Sequence, residues 1–429
     1  MNAERLTARS VAAAVIGNAL EFYDFVVYTF FAIQIGHVFF PAHSAYLSLM
    51  ASLGTFGVGF VMRPIGGILI GRYADRVGRK PAMQLCLVLM GIAILGVAAV
   101  PSYAAIGVAA PLLIVVARMA QGFALGGQVG STTAFLLEAA PASQRGYYAG
   151  WQTASQYCAM LTGGIVGTVL SIFMSSAELD AYGWRIAFAL GGLALPFGLF
   201  LIRGVTETLH LPEGASPVLR PERSMALWLE HRRIILLGLV VLASATIFTY
   251  VTNYMTTYAE HVLHLSVSQA FVATLAGGVS GIAGALFGAW LSDRIGRWPV
   301  LVWPRLLFIL LVWPLYAWMA AERSLGAVLV ATVVLITLGS VSFGPFSAAM
   351  TESLPKHMRG TGYGTIYAIS IAIFGGSAQL IVTWLIHKTG SPLAPAWYLI
   401  VSGLVGLFAV VLMPETAPAR AAIVAAAAE

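Results

Sequence analysis

Apolar runs of about 20 residues, each long enough to cross the hydrocarbon core of a bilayer, recur from end to end of the chain. Twelve can be counted, starting near residues 11, 46, 81, 106, 145, 184, 233, 267, 298, 325, 361 and 393. Backbone N–H and C=O groups in lipid must bond internally, so each run predicts a helix. The expectation is an all-α integral membrane protein of twelve transmembrane helices in two six-helix bundles. One long polar break, with Glu207, Pro212, Glu213, Arg220, Pro221, Glu222 and Arg223, separates six spans from six. The organisation read from it is an N-terminal bundle (1–203), a linker (204–232), a C-terminal bundle (233–416) and an Ala-rich tail (417–429).

The halves share phrases. Asp75-Arg76-Val77-Gly78-Arg79 returns as Asp293-Arg294-Ile295-Gly296-Arg297, 218 residues later. Glu138, Pro141, Arg145 and Gly146 return as Glu352, Pro355, Arg359 and Gly360 at an offset of 214, and Glu207-Thr208 as Glu415-Thr416 at 208. Matching order and offset indicate a duplicated unit. The repeated charges fall in short loops, where orientation signalling alone would need no fixed Asp or Gly. Interlocking gate contacts are the better reading for Asp75, Arg76, Arg79, Glu138, Arg145, Asp293, Arg294, Arg297, Glu352 and Arg359.

Composition agrees with a lipid-facing surface: 59% of residues are hydrophobic and 9% charged, against about 25% charged in a typical soluble domain. With both termini in the cytoplasm, about 17 of the 23 basic residues lie inside, and the outer loops keep only Arg185, Arg323 and Lys388. The net charge of +6 therefore reflects topology, and no basic cluster with interleaved aromatics suggests nucleic acid. Arg5 and Arg9 before an apolar stretch mimic a signal peptide, but Glu21 and Asp24 interrupt it, so an uncleaved first helix is expected. Cys86 and Cys158 read as buried free thiols. There is no G-x-x-x-x-G-K-[ST] phosphate loop, no H-E-x-x-H and no Cys/His cluster. Direct ATP coupling, a metal site and an enzymatic activity are thus not expected, and no cofactor is invoked beyond a proton gradient.

Charges within spans are costly and point to function. Gly17, Glu21, Asp24 and Tyr28 share one face of the first helix. Arg118, Gln121, Leu125, Gln128 and Thr132 form a stripe on the fourth. Arg118 needs a partner at its depth, and Glu21 or Asp24 is available. Such a pair is either a packing device or a proton-coupling pair. In the second case, protonating the carboxylate releases Arg118 to bind an anion by charge-assisted hydrogen bonds. Further polar faces are offered by Gln152, Ser155 and Gln156; by Tyr250, Asn253, Tyr254 and Thr257; and by Tyr363, Tyr367 and Ser370. Arg63, on the cytoplasmic side of mid-depth in the second span, reads as a gating or structural residue in preference to a substrate ligand. Arg305 reads as snorkelling to the interface. The eight histidines receive no mechanism.

These residues resemble the major facilitator superfamily. Gly71-Arg-Tyr-Ala-Asp75-Arg76-Val-Gly78-Arg79-Lys80 is similar to its signature between the second and third spans. Gly17-Asn-Ala-Leu-Glu21-Phe-Tyr-Asp24-Phe, Arg63-Pro-Ile-Gly-Gly, Arg118-Met-Ala-Gln-Gly-Phe and Gly183-Trp-Arg resemble its metabolite–proton symporter branch. A closer resemblance, to citrate– and tricarballylate–proton symporters, rests on Gly146-Tyr-Tyr-Ala-Gly-Trp151-Gln152-Thr-Ala-Ser155-Gln156, Phe248-Thr-Tyr-Val-Thr-Asn-Tyr254-Met-Thr-Thr-Tyr258 and Ala372-Ile-Phe-Gly-Gly376. Two departures stand out. Gln128 replaces an acid usual in the branch, and Ala289 stands where the first repeat has Gly71, so the second signature is expected to be degraded.

The resemblance implies a proton-coupled importer of a small tri- or dicarboxylate, working by alternating access in a bacterial inner membrane as a monomer. Glu21 and Asp24 would couple protons. Arg118, Gln121, Gln128, Gln152, Gln156, Tyr250, Asn253, Tyr254 and Tyr367 would bind substrate. A proline- or betaine-type osmolyte is the nearest alternative cargo, and a non-transporting membrane sensor is a distant one.

Overall fold

The computed structural model describes residues 8–138, 144–203, 229–355 and 359–417. The linker reading falls largely, and the tail reading almost wholly, outside these residues. The side chains of Glu21, Asp75, Arg76, Arg79, Gln128, Glu138 and Arg359 also lie outside the described set.

Twelve long helical runs follow in order: α1 (Ala8–Phe30, continued by Ala32–Phe39), α2 (Ala45–Val77), α3 (Arg79–Ala99), α4 (Ala109–Glu138), α5 (Arg145–Phe173), α6 (Trp184–Arg203), α7 (Arg232–Asn253), α8 (Val267–Ile295), α9 (Arg297–Glu322), α10 (Leu325–Glu352), α11 (Arg359–Ser370, resuming as Gly376–Thr389) and α12 (Ala394–Val411). Ten are long and apolar enough to span a membrane. The two parts of α1, bent by 66°, make an eleventh, and α6, a 20-residue helix around Pro196, completes the set.

The repeated phrase is the joint between consecutive helices. Gly78 links α2 to α3 and Gly296 links α8 to α9, with φ of +121° and +105°. Only glycine adopts such angles without strain, which is why the phrase needs its Gly in both copies. The end of the bundle bearing these joints is called the signature face below, and the opposite end the far face.

Small residues set how closely helices approach. Gly122-Phe-Ala-Leu-Gly126 of α4 docks against α2: a Cβ on Gly122 would overlap the Gly59 carbonyl, and one on Gly126 the Arg63 carbonyl. Backbone contact at this level places Arg63 and Arg118 side by side. The two bundles meet along α5 and α8, where Gly164 lies against Leu275 and Gly278 against Leu161. They also meet where α2 crosses α11, with Gly57 and Gly376 backbone to backbone. The quoted phrase Ala372–Gly376 coincides with a π turn over Ile371–Gly375, a local widening of the helix at this crossing.

Candidate functional site

Between the bundles, at mid-depth, lies a buried polar cluster walled by aromatic rings. From α1 comes Asp24, from α2 Arg63 and from α4 Arg118, each no more than 2% exposed. Arg118 Nη1 lies 3.4 Å from Asp24 Oδ2 and donates to Gln121 Oε1 at 2.5 Å. Of the two acids that the sequence offered to Arg118, Asp24 makes a contact, and the Glu21 side chain lies outside the described set. The Arg118 guanidinium stands 4.4 Å from the Tyr28 ring centre and 5.3 Å from that of Phe25.

Arg63 corrects an expectation. The sequence puts it on the cytoplasmic side of mid-depth with a gating or structural role, and the structure places it in the central cluster. The reason is length: α2 runs for 33 residues, so residue 63 sits near its middle. Its guanidinium packs over Phe60 at 4.2 Å and Phe25 at 4.6 Å. Both guanidinium groups therefore flank one ring, Phe25. None of the three Arg63 guanidinium nitrogens meets a hydrogen-bond acceptor in good geometry, and the Tyr250 phenol is the adjacent polar group.

Donors are left over. Arg63 Nε, Nη1 and Nη2, Arg118 Nε, Gln121 Nε2 and Gln156 Nε2 are buried without partners, whereas the carboxylate leaves one such acceptor, Asp24 Oδ1. Guanidinium nitrogens can only donate. Among the described side chains of the cluster the balance is two cations to one anion. Buried polar atoms are normally matched, so this arrangement is built for an acceptor-rich, negatively charged occupant.

The C-terminal bundle supplies the opposite wall. Tyr250 of α7 packs edge-on to Phe60, centroids 5.2 Å apart, and to Phe25 at 5.8 Å. Tyr367 of α11 faces Tyr250, Arg63 and Gln156. Gln152 is buried one turn from Gln156, its Nε2 unpartnered, and Asn253 is buried on α7. Tyr254 is not drawn in: its hydroxyl accepts from Thr383 at 3.0 Å within the C-terminal bundle. Asn18, which sequence reading did not single out, donates to Ser155 at 2.6 Å. Phe25, Phe56 and Phe60 were also missed, because an apolar ring in an apolar span carries no signal of its own.

At the signature face the second copy of the repeat forms a hub. Arg297, 1% exposed, pairs with Asp293 Oδ1 at 2.6 Å and with Glu352 at 3.1 and 3.3 Å. Asp293 reaches into the other bundle. Its two oxygens accept from the backbone N–H groups of Gly146 (3.0 Å) and Tyr147 (2.8 Å), capping the first turn of α5. Glu415 caps α9 through the N–H groups of Arg297 and Trp298, both at 2.9 Å. Thr416 closes the ring onto Glu352 at 2.9 Å. Arg294 stands outside this hub, over Trp290 at 4.1 Å, and Arg145 is the first residue of the capped helix. The expectation that Ala289 degrades this copy fails. Its methyl fits against Gly150, where a second Cβ would overlap it. Arg305 is half-buried and lines a cleft with Ser244, Phe248, Phe308 and Ser402, its Nη1 without a partner.

A family model described as Major Facilitator Superfamily matches residues 14–376. The chain belongs to the major facilitator superfamily. Among its relatives in the superfamily, a citrate-proton symporter of Salmonella typhi is 36% identical over 403 residues, covering 92% of each chain. One of Klebsiella pneumoniae is 34% identical over 394 residues, covering 92% of this chain and 88% of the relative. A proline/betaine transporter of Salmonella typhimurium is 29% identical over 424 residues, covering 95% and 84%. The fold is that of the solved superfamily member D-xylose-proton symporter, with a TM-score of 0.74 over 96% of this chain and 98% of that one, at 18% identity.

Proposed function

We propose that the chain is a proton-coupled symporter that imports citrate or a related tri- or dicarboxylate across a bacterial inner membrane. The signature face and both termini would be cytoplasmic and the far face outer. One observation carries the reading: among the described side chains, the central buried cluster holds two guanidinium groups, one carboxylate and an excess of unmatched donors. A polycarboxylate brings several acceptor oxygens and negative charge; a zwitterion brings one carboxylate. The full-length similarity to citrate-proton symporters supports the same cargo.

The osmolyte reading has weaker support. A quaternary ammonium group needs free aromatic faces, and the Phe25, Phe60 and Tyr28 rings are already engaged by Arg63 and Arg118. Coupling would run through Asp24. While ionised it holds Arg118; once protonated it frees a guanidinium edge for a substrate carboxylate and adds one positive charge to the cavity. Proton and anion then bind together, because each lowers the cost of burying the other.

The test is uptake into proteoliposomes with and without an inward proton gradient, competed by citrate or by betaine. Citrate is expected to compete, and Asp24→Asn to abolish gradient-driven accumulation while sparing citrate/citrate exchange. Competition by betaine alone would refute the cargo. Unchanged pH-dependent accumulation in Asp24→Asn would refute the coupling.

A further inference from the structure

At the far face a second titratable cluster stands apart from the central site. After α7 the chain continues as Met255–Thr257 and a π turn, Tyr258–Val262. The turn carries Glu260 to the seam between the bundles. There Gln34, in the second part of α1, donates to Glu260 Oε1 at 3.4 Å. Further into the same seam Thr257 Oγ1 lies 3.5 Å from the Thr29 carbonyl. Across the bundle Tyr46 of α2 stacks on His387 of α11 at 3.8 Å. Beside Glu260 opens a cavity of about 230 Å³ lined by Ile33, His37, Leu49, His261 and His264.

The groups facing Glu260 are few. Gln34 and His37 come from α1, Asp180 from the segment packed on it, His261 from its own turn and His264 from just after that turn. None is an Arg or Lys. Burial, with His264 and His37 nearby, holds His261 below the ordinary imidazole range. Near neutral pH this histidine therefore gives Glu260 no cation. A half-buried carboxylate with no Arg or Lys among the described groups facing it, and with Asp180 nearby, favours hydration, and hydration parts the seam.

We propose that Glu260 is a second proton-binding residue, distinct from Asp24, whose protonation lets the outer seam close over the loaded cavity. The proposal rests on the orientation given under the proposed function. Burial, then Asp180, pushes the Glu260 carboxyl from 4.5 to about 7 in the closed seam. The sign follows: the closed form binds the proton more tightly. Closure is fully favoured below the open-state value and loses that advantage as pH rises through about 7. The ratio of closed to open forms changes by up to about a hundredfold across this window. An acidic exterior would thus favour occlusion after loading.

The seam can be read without substrate or transport, so its failure is separable from failure of the cargo assignment. Thr257→Cys is introduced into a Cys86→Ala, Cys158→Ala background in lipid nanodiscs and labelled with a small maleimide from pH 5 to 8. Each rate is divided by that of the same protein carrying Glu260→Gln, which cancels the pH dependence of the thiol itself. The ratio is expected to rise at least tenfold from pH 5 to 8. Gln34→Glu, which sets a second carboxylate across the seam, should steepen the rise. A ratio that stays flat in both proteins overturns the proposal.

Discussion

Two arginines in one cluster should differ in what the same substitution does to stability. Arg118 is paired with Asp24 at 3.4 Å, so Arg118→Gln leaves a buried carboxylate alone. Removing one partner of a buried pair costs about 3–5 kcal/mol. Arg63 has no acceptor in hydrogen-bond geometry and is held over Phe25 and Phe60. Arg63→Gln gives up cation–π contacts worth about 0.5–2 kcal/mol each. It also relieves a desolvated cation of several kcal/mol. The two nearly cancel, and stability without substrate should change by about 1 kcal/mol or less. Substrate affinity should fall in both. A guanidinium–carboxylate hydrogen bond contributes about 1.5–3 kcal/mol, and each 1.4 kcal/mol is about tenfold. Losing a bidentate Arg63 contact should therefore weaken citrate binding by about a hundredfold. The assay pairs thermal melting of purified substrate-free protein with calorimetric citrate binding at fixed pH. The reasoning fails if Arg63→Gln binds citrate within about twofold of the parent, or melts as early as Arg118→Gln.

Gly122→Ala should prevent assembly, since its Cβ would overlap the Gly59 carbonyl, whereas Gly17→Ala, with nothing within 4 Å, should be tolerated. Overpacking costs about 1–3 kcal/mol or more, and fluorescence-detected size exclusion would report it as loss of the monodisperse peak in the first variant only. Asp293→Asn should loosen the signature face, because an amide offers one acceptor where the carboxylate serves Gly146, Tyr147 and Arg297. A cysteine at Tyr147 should then react faster with a thiol probe; an unchanged rate would count against the gate role.

The legible parts of the sequence were those where lipid punishes deviation. Twelve apolar runs of about 20 residues give twelve helices because a helix satisfies every backbone group in hydrocarbon within its own segment. Asp24 and Arg118 were legible as rare charges at matching depth. Arg63 was equally visible as a charge and misplaced, because hydropathy marks where a span is greasy and not where the helix stops. α2 continues to Val77, well beyond its apolar run, and that shift moves residue 63 from one side of mid-depth to the middle. The docking of Gly122 and Gly126 on α2, and the fit of Ala289 to Gly150, depend on which faces meet. A single chain read in order does not contain that information.

The duplication makes the division of labour in the central cavity more telling. The hub at the signature face uses the repeat's second copy and ties both bundles together. The cavity does the reverse: all its described charges, Asp24, Arg63 and Arg118, come from α1, α2 and α4, while α7 and α11 add the phenols of Tyr250 and Tyr367. A carrier that rocks its bundles apart around a fixed site would pay heavily for separating opposite charges at low dielectric. Here the ion pair lies within one bundle, so rocking need not part it and instead separates aromatic edges and seam contacts such as Gly57–Gly376, Gln34–Glu260 and Asp293–Gly146. On the proposed reading, Asp24, Arg63 and Arg118 would keep their geometry while the phenolic wall and the seam contacts at the two faces move around them.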